Sequence, residues 1–124
     1  MDKIYEQTML FDFYGELLTE HQRSIYEDAV YHDLSLSEIA QAQGISRQGV
    51  HDLIKRCDKI LQDYESKLHL VERFAKAKKT VEEIRRLTFP AEEKADDSAE
   101  IDAEAMQERL RAIRELSHEL LEEL

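Results

Sequence analysis

Apolar residues recur at helical intervals along almost the whole chain, and the gaps between runs fall where caps and turns belong. The first run, from Ile4 to about Leu18, puts Leu10, Phe13, Tyr14 and Leu17 on one face, with Ile4, Met9 and Phe11 nearby. Thr19 and Gln22 have the spacing of a capping box and open a second helix to about Tyr31. Its inward residues are Ile25, Tyr26, Ala29 and Val30, with His21 and Arg23 outward. Residues 33–56 then read DLSLSEIAQAQGISRQGVHDLIKR, which holds two helix starts and one sharp turn. Ser35 and Glu38 form a second capping box, so a short helix starts at Leu36. Gly44 ends it, because a tight corner needs a residue that tolerates positive φ, and Ile45 is expected to plug that corner. Ser46 caps the next helix, whose stripe is Val50, Leu53, Ile54, Cys57, Ile60 and Leu61. This is the grammar of a helix-turn-helix over residues 35–63, its second helix being the one placed to enter a major groove.

Beyond it the apolar positions continue through Tyr64, Leu68, Val71, Phe74 or Ala75, Val81, Ile84 and Leu87. Alternating spacings of three and four predict a coiled-coil seam or long helices packed together, stopped at Phe89-Pro90. From Ala91 to Glu100 the sequence AEEKADDSAE reads as a mobile linker. A last helix carries Met106, Leu110, Ile113, Leu116, Leu120 and Leu124 on one side. That stripe wants a partner: the basic helix before it, which Glu108, Glu115, Glu119 and Glu122 would suit, or another chain. The expected organisation is a helical domain, 1–90, containing the helix-turn-helix and a basic helix at 67–88, followed by an acidic linker and amphipathic helix at 91–124.

Three glycines and one proline among 124 residues, with 42% hydrophobic and 36% charged side chains, agree with an all-α protein. No apolar run approaches the roughly 18 residues that span a bilayer. The start, MDKIYEQTM, lacks the plan of a signal peptide, so a cytoplasmic protein without membrane insertion is expected. The lone Cys57 falls on the apolar stripe and reads as a buried small hydrophobe.

Charge complicates a nucleic-acid reading. The net charge is −11, whereas nucleic-acid domains usually have a pI above about 9. Between Leu36 and Asp63 the bases Arg47, Lys55, Arg56 and Lys59 are matched by Glu38, Asp52, Asp58 and Asp63. One basic island remains, holding Lys67, Arg73, Lys76, Lys78, Lys79, Arg85 and Arg86. It is either a phosphate-contact strip or a solvated face paired with Glu72, Glu82, Glu83 or the tail.

The candidate contacts are Arg47, Gln48, His51 and Lys55 on the face opposite Val50, Leu53 and Ile54, joined by Arg56 and by Lys76, Lys78 and Lys79. Arginine matches guanine N7 and O6, glutamine matches adenine N6 and N7, and lysine finds phosphate. Asp52, on the same turns, is set aside as unhelpful. No catalytic residue, metal ligand or cofactor is expected: the five histidines are scattered, and there is no glycine-rich phosphate loop.

The run from Thr19 through Gln22, Tyr26, Tyr31 and DLSLSEIA to GISRQGVHDLIKRCDKILQDYESKL resembles the YlxM family of small bacterial proteins, over about residues 4–88. More distantly, the motif resembles the sigma-factor region that reads the −35 promoter element. The resemblance implies a sigma factor region 4-like helix-turn-helix with long following helices and a C-terminal amphipathic helix. It implies an accessory or regulatory protein of the bacterial signal recognition particle pathway, with nucleic acid (DNA or the particle's RNA) as partner. By analogy with the sigma-like motif, Arg47, Gln48, His51 and Lys55 take the groove-facing positions. The other reading is an acidic adaptor docking on the particle's GTPase without touching nucleic acid. A homodimer is expected, because the stripe from Val50 to Leu87 exceeds what a short bundle can cover.

Overall fold

Caps and turns divide the chain where the pattern places them. The computed structural model describes residues 2–93 and 102–124, with side chains outside 89–93. Among these residues there are six α-helices and no strand: α1 (Lys3–Tyr14), α2 (Glu20–Val30), α3 (Leu36–Gln43), α4 (Arg47–Leu68), α5 (Leu70–Glu93) and α6 (Ala103–Glu123). The fold is all-α.

Both capping boxes form. Thr19 Oγ1 accepts the Gln22 amide at 3.2 Å while Gln22 accepts the Thr19 amide at 3.1 Å, and Ser35 and Glu38 exchange the same pair of bonds at 3.1 Å each. α3 ends at Gly44, whose φ of 68° lies in the left-handed region. The Ile45 amide then donates back to the Ala40 carbonyl at 3.1 Å, satisfying one of the open carbonyls at the helix end. Ile45 itself does not plug the corner, for its side chain stays 36% exposed. Ser46 accepts the Gly49 amide at 2.9 Å and starts α4.

The chain packs as two units, Met1–Val71 and Glu72–Leu124. In the first, α4 is the axis on which α1, α2 and α3 pack. Ile25, Ile39, Ala40 and Val50 are buried together, and Leu10, Tyr14, Leu18, Tyr26, Cys57 and Leu61 form a second cluster. Leu53 and Ile54 pack against both. Each fully buried leucine or isoleucine contributes about 1.5–3 kcal/mol, so the position of α4 is set by its apolar stripe. α1 ends earlier than the pattern predicts: after Tyr14 a 3-10 turn spans Gly15–Leu17. The tighter turn buries Leu18 and leaves Leu17 55% exposed.

The predicted seam from Val50 to Leu87 is broken at His69, which takes a left-handed conformation (φ 56°) between α4 and α5. Lys67 therefore sits in the last turn of α4, and the basic helix starts at Leu70 rather than residue 67. Periodicity carried no sign of the break, because what stabilises it is distant in sequence. Tyr14 donates its hydroxyl hydrogen to Glu65 Oε1 at 2.5 Å, and the same two side chains accept the first amides of α5: Leu70 N–H to Tyr14 Oη at 3.1 Å and Val71 N–H to Glu65 Oε1 at 2.9 Å. Burial first, then the Glu65 bond, raises the Tyr14 phenol above its ordinary range.

In the second unit, α5 runs past Phe89 and Pro90 to Glu93, where the pattern predicts a stop. The proline rule is a bias on the preceding residue's conformation, and here the helix overrides it. The first three residues of the expected linker are thus helical, and the rest of it lies outside the described residues. α6, capped by Asp102, brings its end beside the start of α5: Lys76 Nζ lies 2.6 Å from Glu123 Oε1, and Arg73 donates to the Glu123 carbonyl at 2.8 Å. No α6 side chain is fully buried.

Candidate nucleic-acid interface

At roughly 100° per residue, Arg47, Gln48, His51 and Lys55 fall within about 100° of arc on the first two and a half turns of α4. The buried stripe of Val50, Cys57 and Leu61 occupies the other side, which fixes the rotation of the helix. Arg47, Gln48 and Lys55 are exposed and His51 is half-buried. Leu36, from the first turn of α3, joins Arg47, Gln48 and His51 in lining an open hollow of about 450 Å³. The start of α4 also carries partial positive charge from its unpaired amides, which favours an anion there. Arg56 is exposed but lies about a quarter-turn beyond Lys55 on the helix.

The acids matched one for one against these bases are less opposed to them than the count implies. Asp58 is turned into the bundle, where it accepts the Tyr26 hydroxyl at 2.6 Å and the Gln7 amide at 3.0 Å. Burial and then the Asp58 bond push the Tyr26 phenol far above its ordinary value. Glu38 is engaged at the Ser35 amide, which holds its carboxyl below the usual range. On the first two turns of α4 the one acidic side chain is Asp52. It accepts from Gln48 Nε2 at 3.0 Å and lies 3.6 Å from His51 Nδ1, an atom shielded from solvent that makes no hydrogen bond among the described residues.

The remaining candidates lie in the second unit. Lys76 is paired with Glu123, and that bond raises its pKa. Lys78 and Lys79 are exposed, and Arg86 is bonded to Glu83 one turn away. Such exposed surface pairs contribute little to stability and are screened by salt. The sequence reading missed the Gln48–Asp52 bond, although their spacing of four is one at which glutamine and aspartate side chains meet on a helix.

Among the described residues there is no cluster of three His, Cys, Asp or Glu side chains that could hold a metal. No described helix is long and apolar enough to cross a membrane. Burial pushes the Cys57 thiol up to about 11, so it stays protonated inside the bundle.

Comparison with known proteins agrees with this geometry. A family model, UPF0122, described as "Putative helix-turn-helix protein, YlxM / p13 like", matches residues 1–101. A UPF0122 protein of Clostridium botulinum is 51% identical over 83 residues, covering 65% of this chain and 74% of its own. One from Caldanaerobacter subterraneus subsp. tengcongensis is 45% identical over 84 residues, 68% of this chain and 72% of its own. One from Shouchella clausii is 43% identical over 86 residues, 69% of this chain and 79% of its own.

Proposed function

The chain belongs to the UPF0122 family of YlxM- and p13-like helix-turn-helix proteins, and from that premise we propose that it binds duplex DNA by laying the start of α4 in the major groove, as a regulatory protein without catalytic chemistry of its own. The observation that carries this is the ridge of exposed Arg47, Gln48 and Lys55, with half-buried His51 among them, at the capped end of the second helix of the motif. Arg47 and Gln48 supply groups that match base edges, and Lys55 and Arg56 supply phosphate contacts. A-form RNA is less well suited to this ridge, since its major groove is too narrow for side chains to read. Lys76, Lys78 and Lys79 add backbone contacts of the kind that either nucleic acid accepts.

The resemblance of residues 4–88 supports placing this activity in the cytoplasm, in the signal recognition particle pathway. A homodimer is part of the proposal: Val81, Leu110 and Leu121 present apolar surface, with exposures of 50, 59 and 70%. Two copies would also double the phosphate contacts of a protein whose net charge is −11.

Fluorescence anisotropy with labelled duplex DNA in low salt tests the reading. Binding tighter than about 10 μM is expected, and Arg47→Ala and Lys55→Ala should weaken it and flatten its salt dependence. The net acidity favours a second reading, an adaptor that docks on a basic protein such as the particle's GTPase. Failure to bind DNA or the particle's RNA, with capture of the purified GTPase at physiological salt, would favour that adaptor.

A further inference from the structure

Asp52 is an acid placed where a polyanion would lie, and on charge alone it opposes binding. The geometry gives it a use. Its carboxylate accepts one hydrogen from Gln48 Nε2 at 3.0 Å, one turn back along α4, while Gln48 remains exposed at the edge of the hollow. A glutamine amide has two N–H donors and one carbonyl acceptor. Where Asp52 holds the hydrogen on the far side from the carbonyl, one donor and one acceptor remain, side by side. That is the complement of adenine, which presents N7 as acceptor and N6–H as donor in the major groove. Guanine presents two acceptors there, so the Gln48 carbonyl would meet guanine O6 unpaired.

We propose that Asp52 is a positioning residue that orients Gln48 to read adenine, so that the chain prefers DNA sites with an adenine at one fixed position. This rests on the groove-binding reading above and adds to it the base that is read and the residue that sets it. Asp52 need not touch DNA. It removes the freedom of the amide to flip and present its donor edge, and so converts a permissive contact into a selective one. Selectivity would thus be gained at some cost in overall attraction to DNA.

The test is selection from a duplex DNA pool with a randomised core, in low salt, using the full chain. The wild type should enrich one adenine position, with discrimination on the order of five- to 150-fold, the range of a good bidentate base contact. Gln48→Ala should abolish that preference. Asp52→Ala should reduce it at least threefold, and Asp52→Asn, whose amide oxygen still accepts from Gln48, should retain it. Both Asp52 variants lose the same negative charge and should gain general affinity alike, so charge and positioning separate within the pair. Equal preference in Asp52→Ala and wild type would overturn the assignment. So would binding of the pool without any adenine position, while leaving the groove reading intact. No binding of the pool at all would overturn both. Circular dichroism of each variant guards against loss of the fold, since all three changes lie on an exposed face.

Discussion

Gly15 lies under the ring of Phe11, so close that a β-carbon on Gly15 would come within 2.9 Å of two ring carbons. The ring cannot simply step aside, because it packs between Tyr26, at 5.8 Å between centroids, and Tyr31, at 5.6 Å. Gly15→Ala should therefore destabilise the first unit by about 1–3 kcal/mol, the usual range for overpacking. Urea unfolding followed by circular dichroism should show a lower midpoint with an unchanged slope, and a midpoint equal to wild type would contradict this packing.

Tyr26 and Asp58 join α2 to α4 through a buried hydroxyl and a carboxylate 2.6 Å apart. Tyr26→Phe leaves that carboxylate with Gln7 alone, and the expected loss is about 1–3 kcal/mol, the penalty for a part-buried acceptor deprived of its donor. Replacing Tyr26 and Asp58 together should cost less than the sum of the single changes, as the coupling of neighbours requires. Strict additivity in that cycle would mean the bond contributes nothing.

Gly44 holds a φ of 68° with nothing within 4 Å of a would-be β-carbon, so strain and not crowding decides the outcome there. Gly44→Ala should cost about 1–2 kcal/mol, the penalty for an L-residue in the left-handed region. Gly44→Asn should cost less, because asparagine tolerates that conformation. The order glycine, asparagine, alanine in thermal midpoints is the signature to look for.

Burial, with the hydroxyl bond to Asp12 next, pushes the Tyr31 phenol up to about 12 from an ordinary 10. A raised folded pKa means that the stabilisation is fully present below pH 10 and is lost as pH rises through about 12. Wild type should therefore exceed Tyr31→Phe by a constant margin at neutral pH, and that margin should shrink on the alkaline side. The difference in phenolate absorbance between wild type and Tyr31→Phe isolates this group from the other tyrosines. A margin that instead shrank on acidification would place the effect in another group.

Local signals made the motif legible. Ser35 with Glu38, Gly44 and Ser46 act within a few residues of themselves, so α3 and the start of α4 could be placed from the chain alone. The same holds for Thr19 with Gln22. The break at His69 was not legible, because Tyr14 and Glu65, which accept the first α5 amides, lie 51 residues apart. The passage of α5 through Pro90 was hidden for a different reason: a single-residue preference opposed a helix that continues on both sides. At the candidate interface, exposure of Arg47 and Gln48 followed from the stripe of Val50 and Leu53. The pairing of Gln48 with Asp52 was available in their spacing, but the sign of the charge drew attention away from it.

Asp58 faces Tyr26 and Glu38 folds back on Ser35, so half the acids of the motif spend their charge on the protein itself. A molecule built this way migrates toward the anode as a whole while offering a cationic edge at one helix start. Its isoelectric point reflects every ionisable group, whereas the local potential at that edge is weighted toward the nearest side chains. Changes to acids far from that edge shift bulk behaviour such as ion-exchange retention while leaving the side chains of the edge itself unchanged.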